Sequence, residues 1–223
     1  GDVYKRQDKA HELRITNAVA GAIVGLNDIA NSNLGLTGSG EKISYTDTGI
    51  DQDHPDLAGR VAGVYTQFGL DPSPADSNGG HGTHIAITIA GSGTGDSSAK
   101  GIAPDALIVA YALEHDPTGV FGRIGSIYDM LNHAEQEGSR ISVNAWGLNG
   151  NYGAYTGDSR SVDVFVKDNS DFLPVFSAGD DPSQNASKVM APSTGKNVLS
   201  IGASTTNPSG SVANFSSLGP SLD

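Results

Sequence analysis

The chain contains no cysteine. That excludes disulfides, thiol nucleophiles and cysteine-ligated zinc. It leaves the compartment open, because 223 residues can fold without covalent staples. Long apolar runs are also missing. None approaches the roughly 20 residues of a membrane-spanning helix, and no signal-peptide pattern opens the chain. Basic residues are scarce: 13 Lys and Arg stand against 25 Asp and Glu, a formal charge of −12. A surface of that sign repels phosphates, so nucleic-acid and anionic-membrane partners are not expected. What is abundant is glycine, 30 residues of it, which implies many tight turns. The length suits one α/β domain with a sizeable core.

Short apolar runs predict strands at Lys42–Thr46, Val61–Tyr65, Leu107–Leu113, Ile141–Ala145, Leu173–Ser177 and Val198–Ala203. Between them lie helical patterns. One is weak, from Ile15 to Leu36, with Val19, Ile23, Leu26 and Ile29 roughly on one face. A second spans Ile124 to Ala134 and stops at Gly138, and a third is marked by Val162, Phe165 and Val166. The segment His81–Gly91 is ambiguous by periodicity, since Ile85, Ile87 and Ile89 alternate as a strand would. Strands alternating with helices predict a parallel sheet covered on both faces. In such sheets, sites lie at the carboxyl ends of the strands.

Two of those ends carry chemistry. Asp47, in Asp47-Thr48-Gly49, closes the first strand before a Gly turn. His81, in Gly80-His81-Gly82-Thr83-His84, follows a polar loop and precedes an apolar run. A histidine held at the mouth of a buried element suits a general base, because its pKa lies near neutrality. A carboxylate nearby would orient the imidazole.

These motifs, with His54-Pro55-Asp56-Leu57, Gly101-Ile102-Ala103-Pro104, Asn144-Ala145-Trp146-Gly147, Ser177-Ala178-Gly179 and Asn214-Phe215-Ser216-Ser217-Leu218-Gly219-Pro220, resemble the subtilisin-like serine proteases. The Asp-before-His order is that of their Asp–His–Ser triad. The pattern is similar to that of secreted bacterial alkaline proteases. The resemblance implies a three-layer α/β/α fold with a mostly parallel central sheet, incomplete at the C-terminus. It implies Asp47 as the orienting carboxylate and His81 as the base. It places Gly119, Val120 and Phe121 on a substrate-pairing edge strand, flanked by Trp146 and Gly147. It further implies a peptide or protein substrate, secretion, and no cofactor for the chemistry. Structural calcium in surface loops is also implied, with Asp71, Asp76 and Asn78, or Asp180, Asp181 and Asn185, offering hard oxygen donors. Solvated loop acids are the preferred reading of both sets, so no metal ligand is assigned. Residues 1–7 (GDVYKRQ) match nothing in the family and read as a non-native tail of the kind metagenomic assemblies carry, leaving 8–223 as the N-terminal portion of the catalytic domain.

The sequence also departs from the family. The nucleophile belongs to a Gly-Thr-Ser-Met-Ala type block downstream of Gly219-Pro220, and the sequence stops at Asp223. It therefore reads as truncated before its Ser. Ser193 is the superficial substitute, in a loop where Gly is usual. Asp180 takes the oxyanion-hole position of an Asn, and an ionised carboxylate cannot donate there. Ile87 replaces a small residue in the His-block helix, which predicts crowding. Ala145 replaces the usual Ser. The alternative reading is an inactive fragment or pseudoprotease that binds peptides or itself. Apolar surface left uncovered would favour self-association into a homo-oligomer.

Overall fold

The fold is known from a computed structural model that describes residues 17–26, 34–180, 188–207 and 210–222. The expected tail (residues 1–7), Ile29, Asp181 and Asn185 lie outside these residues. Strand β1 is Lys42–Asp47, β2 Val61–Tyr65, β3 Leu107–Ala112, β4 Glu114–His115, β5 Val120–Phe121, β6 Ile141–Asn144, β7 Leu173–Ser177 and β8 Leu199–Ile201. The helices are α1 (Asn17–Ile23), α2 (His81–Ala90), α3 (Ile127–Gln136) and α4 (Gly157–Asp168).

Strand β3 shows why the sheet is covered twice. Ile108 and Ala110 enter one core with Tyr45, Leu57, Ala86 and Ala90. Val109 and Tyr111 enter the opposite core with Ile127, Leu131, Val162, Phe165 and Phe176. Successive side chains point to opposite faces, so a strand apolar on both must be sandwiched. Six strands run in the order β2-β3-β1-β6-β7-β8, every pairing parallel. Strands β4 and β5 form a separate antiparallel ribbon. This is the three-layer α/β/α arrangement that the sequence implies.

Helix α2 resolves the ambiguity of the His81 segment. Its buried residues, Gly82, Thr83, Ala86 and Ala90, recur at helical spacing, and they are small. Small side chains let the helix sit close against the sheet, while Ile85, Ile87 and Ile89 pack partly buried around the same core. Ile87 is thus partly buried at the core's margin, so close to Gly91 that a methyl group there would sit 2.7 Å from its Cγ2. Ser126 caps α3 by accepting from the Asp129 N–H, and a Thr156–Ser159 capping box starts α4.

On the α2 side, part of the sheet has no cover among the described residues. Ile141, Leu173, Leu199 and Ile201 are 38%, 42%, 45% and 47% exposed. Ile141 pairs laterally with Leu173, and Val175 with Leu199. They therefore form one apolar face across β6, β7 and β8.

His84 is exposed on helix α2. His133 is half-buried, its Nδ1 2.8 Å from the Tyr111 hydroxyl and its ring 4.5 Å edge-on from Tyr65. An amphipathic helix turned its imidazole toward the aromatic cluster, a contact that no local pattern encodes.

Candidate active site

Parallel pairing puts the ends of β1, β6 and β7 side by side, with Thr46 opposite Asn144 and Asn144 opposite Phe176. Asp47, Ala145-Trp146-Gly147 and Ala178-Gly179-Asp180 follow directly. Helix α2 starts at the same edge. Its N-cap is Gly80, in the left-handed region at φ 67° and without a side chain to cap the helix. His81 is the next residue.

The imidazole and the carboxylate meet. His81 Nδ1 lies 2.6 Å from Asp47 Oδ1. The carboxylate is 2% exposed, while the imidazole is 53% exposed. The buried acid and open base leave one ring edge facing solvent. The Asp47 hydrogen bond raises the His81 pKa above its ordinary value. Burial opposes that rise, and the charges of Asp47 and Asp76 add to it. Asp47 Oδ1 also accepts from the Thr48 N–H at 2.8 Å. The turn beneath is fixed by Tyr45, whose buried hydroxyl donates to the Gly49 carbonyl at 2.9 Å. Burial, and then the Asp47 and Asp76 charges, raise that phenol's pKa and keep it a donor.

A cavity of about 470 Å³ opens beside the strand ends, walled by Asn144, Trp146, Gly147, Phe176, Asp180 and Met190. Met190 packs so closely that a methyl group on Gly147 would sit 2.6 Å from its Cβ, and one on Gly179 would sit 2.9 Å from its Cγ. Asp180 is exposed at the cavity wall. Among the described residues, Trp146 Nε1 and Asn144 Oδ1 are buried without a hydrogen-bond partner.

Strand β5 carries Val120 and Phe121 at the surface, 54% and 38% exposed. The Phe121 ring lies 6.1 Å from Trp146, so the two substrate-binding expectations lie side by side. Gly119 turns the ribbon at φ 67°, near Asn78, whose Nδ2 donates to the Asp116 carbonyl at 3.0 Å.

Other candidates fall away from this centre. Ser193 is buried and hydrogen-bonded to Ser200. Asp71 accepts from the Ser73 and Asp116 N–H groups through its two oxygens. Asp76 accepts from Thr48 and Thr83 through both of its own. These carboxylate oxygens serve the N–H and hydroxyl groups of the surrounding loops and the helix start. Among the described residues, no group of three acidic, His or Cys side chains can hold a metal. Thr48 and Met190 were not singled out by sequence. The close glycines Gly147 and Gly179 were the available sign that something bulky sits on them.

A parallel sheet flanked by helices, with an acid–histidine pair at its carboxyl edge, defines an α/β protein equipped for proton transfer. The chain belongs to the subtilase family, peptidase S8, whose profile matches residues 38–223. It is similar to the thermostable alkaline protease of Halalkalibacterium halodurans, 31% identical over 98% of this chain and 56% of that protein. It also resembles the minor extracellular protease Vpr of Bacillus subtilis, 29% identical over 81% of this chain and 22% of that protein. The chain thus spans little more than half of one relative and about a fifth of the other. Among solved structures, the psychrophilic subtilisin-like protease Apa1 of Pseudoalteromonas sp. AS-11 shares the fold. Its TM-score is 0.68 at 21% identity, covering 89% of this chain and 44% of that one.

Proposed function

We propose that this chain is the Asp- and His-bearing part of a secreted subtilisin-like serine endopeptidase acting on peptides or proteins. The observation that carries the reading is the 2.6 Å contact between His81 Nδ1 and buried Asp47. Asp47 fixes the tautomer and stabilises the imidazolium, and His81 takes and returns the nucleophile's proton through Nε2. Gly119, Val120 and Phe121 pair with the substrate backbone, and Trp146 and Gly147 flank it. Asp180 holds the oxyanion position with the wrong charge for it. The chemistry uses side chains alone and no cofactor. A family that includes an alkaline protease and an extracellular one supports secretion. Residues 8–223 act as one domain.

No serine among the described residues is hydrogen-bonded to His81. Residues 1–223 alone therefore form no His81-dependent adduct with a fluorophosphonate probe, read by intact mass with His81→Ala as control. A chain extended through the family's Ser block cleaves a chromogenic peptide, and loses that activity in His81→Ala. Absence of cleavage by the extended chain overturns the reading.

The uncovered face of β6, β7 and β8 favours a second reading for residues 1–223 by themselves: an inactive module that self-associates through this face. Apolar patches of that kind drive association.

A further inference from the structure

Thr48 follows Asp47 and touches two carboxylates. Its hydroxyl lies 2.7 Å from Asp76 Oδ1 and 3.2 Å from Asp47 Oδ1. A hydroxyl has one proton, and the shorter approach assigns it to Asp76. The same oxygen then accepts from the Gly82 N–H at 2.9 Å. The second oxygen of Asp76 accepts from the Thr83 N–H at 2.7 Å. Gly82 and Thr83 open the first turn of α2, where the N-cap glycine has no side chain to satisfy the free N–H groups. His81 is carried on that turn. Asp47 Oδ1 meanwhile already receives the Thr48 N–H and the imidazole. A third donor there would compete with His81.

We propose that Asp76 is a positioning residue for the Asp47–His81 pair: it draws the Thr48 hydroxyl proton away from Asp47 Oδ1 and pins the helix turn that carries the imidazole. Through one threonine the arrangement links the end of β1 to the loop and helix start at Asp76 to Thr83, 28 and more positions further along the chain. Asp76 also adds a second negative charge that favours the imidazolium. Asp47 and Asp76 are the charged groups acting on His81 among the described residues.

The proposal rests on the pairing of Asp47 with His81, and its test separates the two. The readout is NMR of the intact chain, following the titration of His81 Hε1 and the low-field Nδ1 proton, with His81→Gln to assign both. Asp76→Asn lowers the His81 midpoint by about half to one pH unit and moves the Nδ1 proton upfield. Thr48→Val brings no competing donor to Asp47 but takes the acceptor from the Gly82 N–H, so it lowers the midpoint through the loosened helix turn alone and by less than Asp76→Asn. It keeps the Asp76 bond to Thr83 and remains readable if Asp76→Asn does not fold. Thr48→Ser restores the wild-type values. An unchanged midpoint and Nδ1 signal in these variants overturns the proposal. So does an effect of Asp76→Asn that is equal with and without the Thr48 hydroxyl. Asp47→Asn lowers the midpoint further than Asp76→Asn. If Asp47→Asn leaves it unmoved, the pairing itself is wrong, and Asp76 is not the point of failure.

Discussion

Gly82 lies against Gly49. A methyl group on Gly82 would sit 2.2 Å from the Gly49 carbonyl oxygen. The turn after Asp47 and the helix after His81 therefore touch backbone to backbone. On the other side, a methyl group on Gly49 would sit 2.1 Å from the Ala75 carbonyl oxygen. The Gly49 turn is held between the loop before His81 and the helix after it, and both glycines are needed for that closeness.

Gly82→Ala and Gly49→Ala are expected to destabilise the fold by about 1–3 kcal/mol each, the range for overpacking a fixed contact. Gly79→Ala has nothing within 4 Å of the added methyl and is expected to change stability by less than about 0.5 kcal/mol. Urea denaturation compares the three. Equal midpoints for Gly82→Ala and Gly79→Ala would show that the backbone contact is not tight.

The His81–Asp47 pair sets a pH dependence. The folded-state pKa of His81 is raised above 6.5, first by the Asp47 hydrogen bond. A raised pKa adds stability that is complete below the unfolded-state value and is lost as pH rises through the folded-state value. Because the imidazole is half exposed, solvent screening holds the contribution to roughly 1 kcal/mol or less. The difference in Tm between wild type and His81→Gln should be largest at about pH 6 and shrink toward about pH 9. A difference that widens with pH contradicts the pairing.

Asp180 predicts a handicap in any chain that carries the nucleophile. Removing one oxyanion-hole donor costs about 10²–10³ in kcat in the subtilisin case, and a carboxylate adds repulsion. In a chain extended through the Ser block, Asp180→Asn should raise kcat at pH 8 by about tenfold or more. Steady-state hydrolysis of a chromogenic peptide measures it, and an unchanged rate would remove Asp180 from the oxyanion position.

The uncovered face of β6, β7 and β8 predicts concentration-dependent association of residues 1–223. Replacing Leu199 and Ile201, 45% and 47% exposed, with lysine should shift sedimentation toward monomer. The two side chains are already half in water, so the substitutions should cost little folding stability. A wild-type chain that is monodisperse and unfolds cooperatively would show that the face needs no partner.

Much of this arrangement was written locally. The strands at Lys42 and Leu107 are legible because apolar runs of that length between polar turns have few other uses. Asp47 and His81 are legible because each stands at the end of an apolar element, inside a motif of a few residues. Strand β8 was predicted longer than it is, as Val198–Ala203 against an observed Leu199–Ile201. Among the described residues it pairs with β7 alone, and that pairing sets its length.

The sequence by itself determined the parallel α/β sheet, the acidic surface and the order of Asp47 before His81, because composition and short-range periodicity suffice for these. Only the tertiary structure decided that Thr48 joins Asp76, 28 positions away, that Met190 walls the cavity by resting on Gly147 and Gly179, and that Ser193 is buried beside Ser200. Those contacts join residues whose neighbours in sequence say nothing about them. They exist because strand order places segments side by side, and close packing then gives the Gly82 and Thr83 N–H groups at the helix start their acceptors.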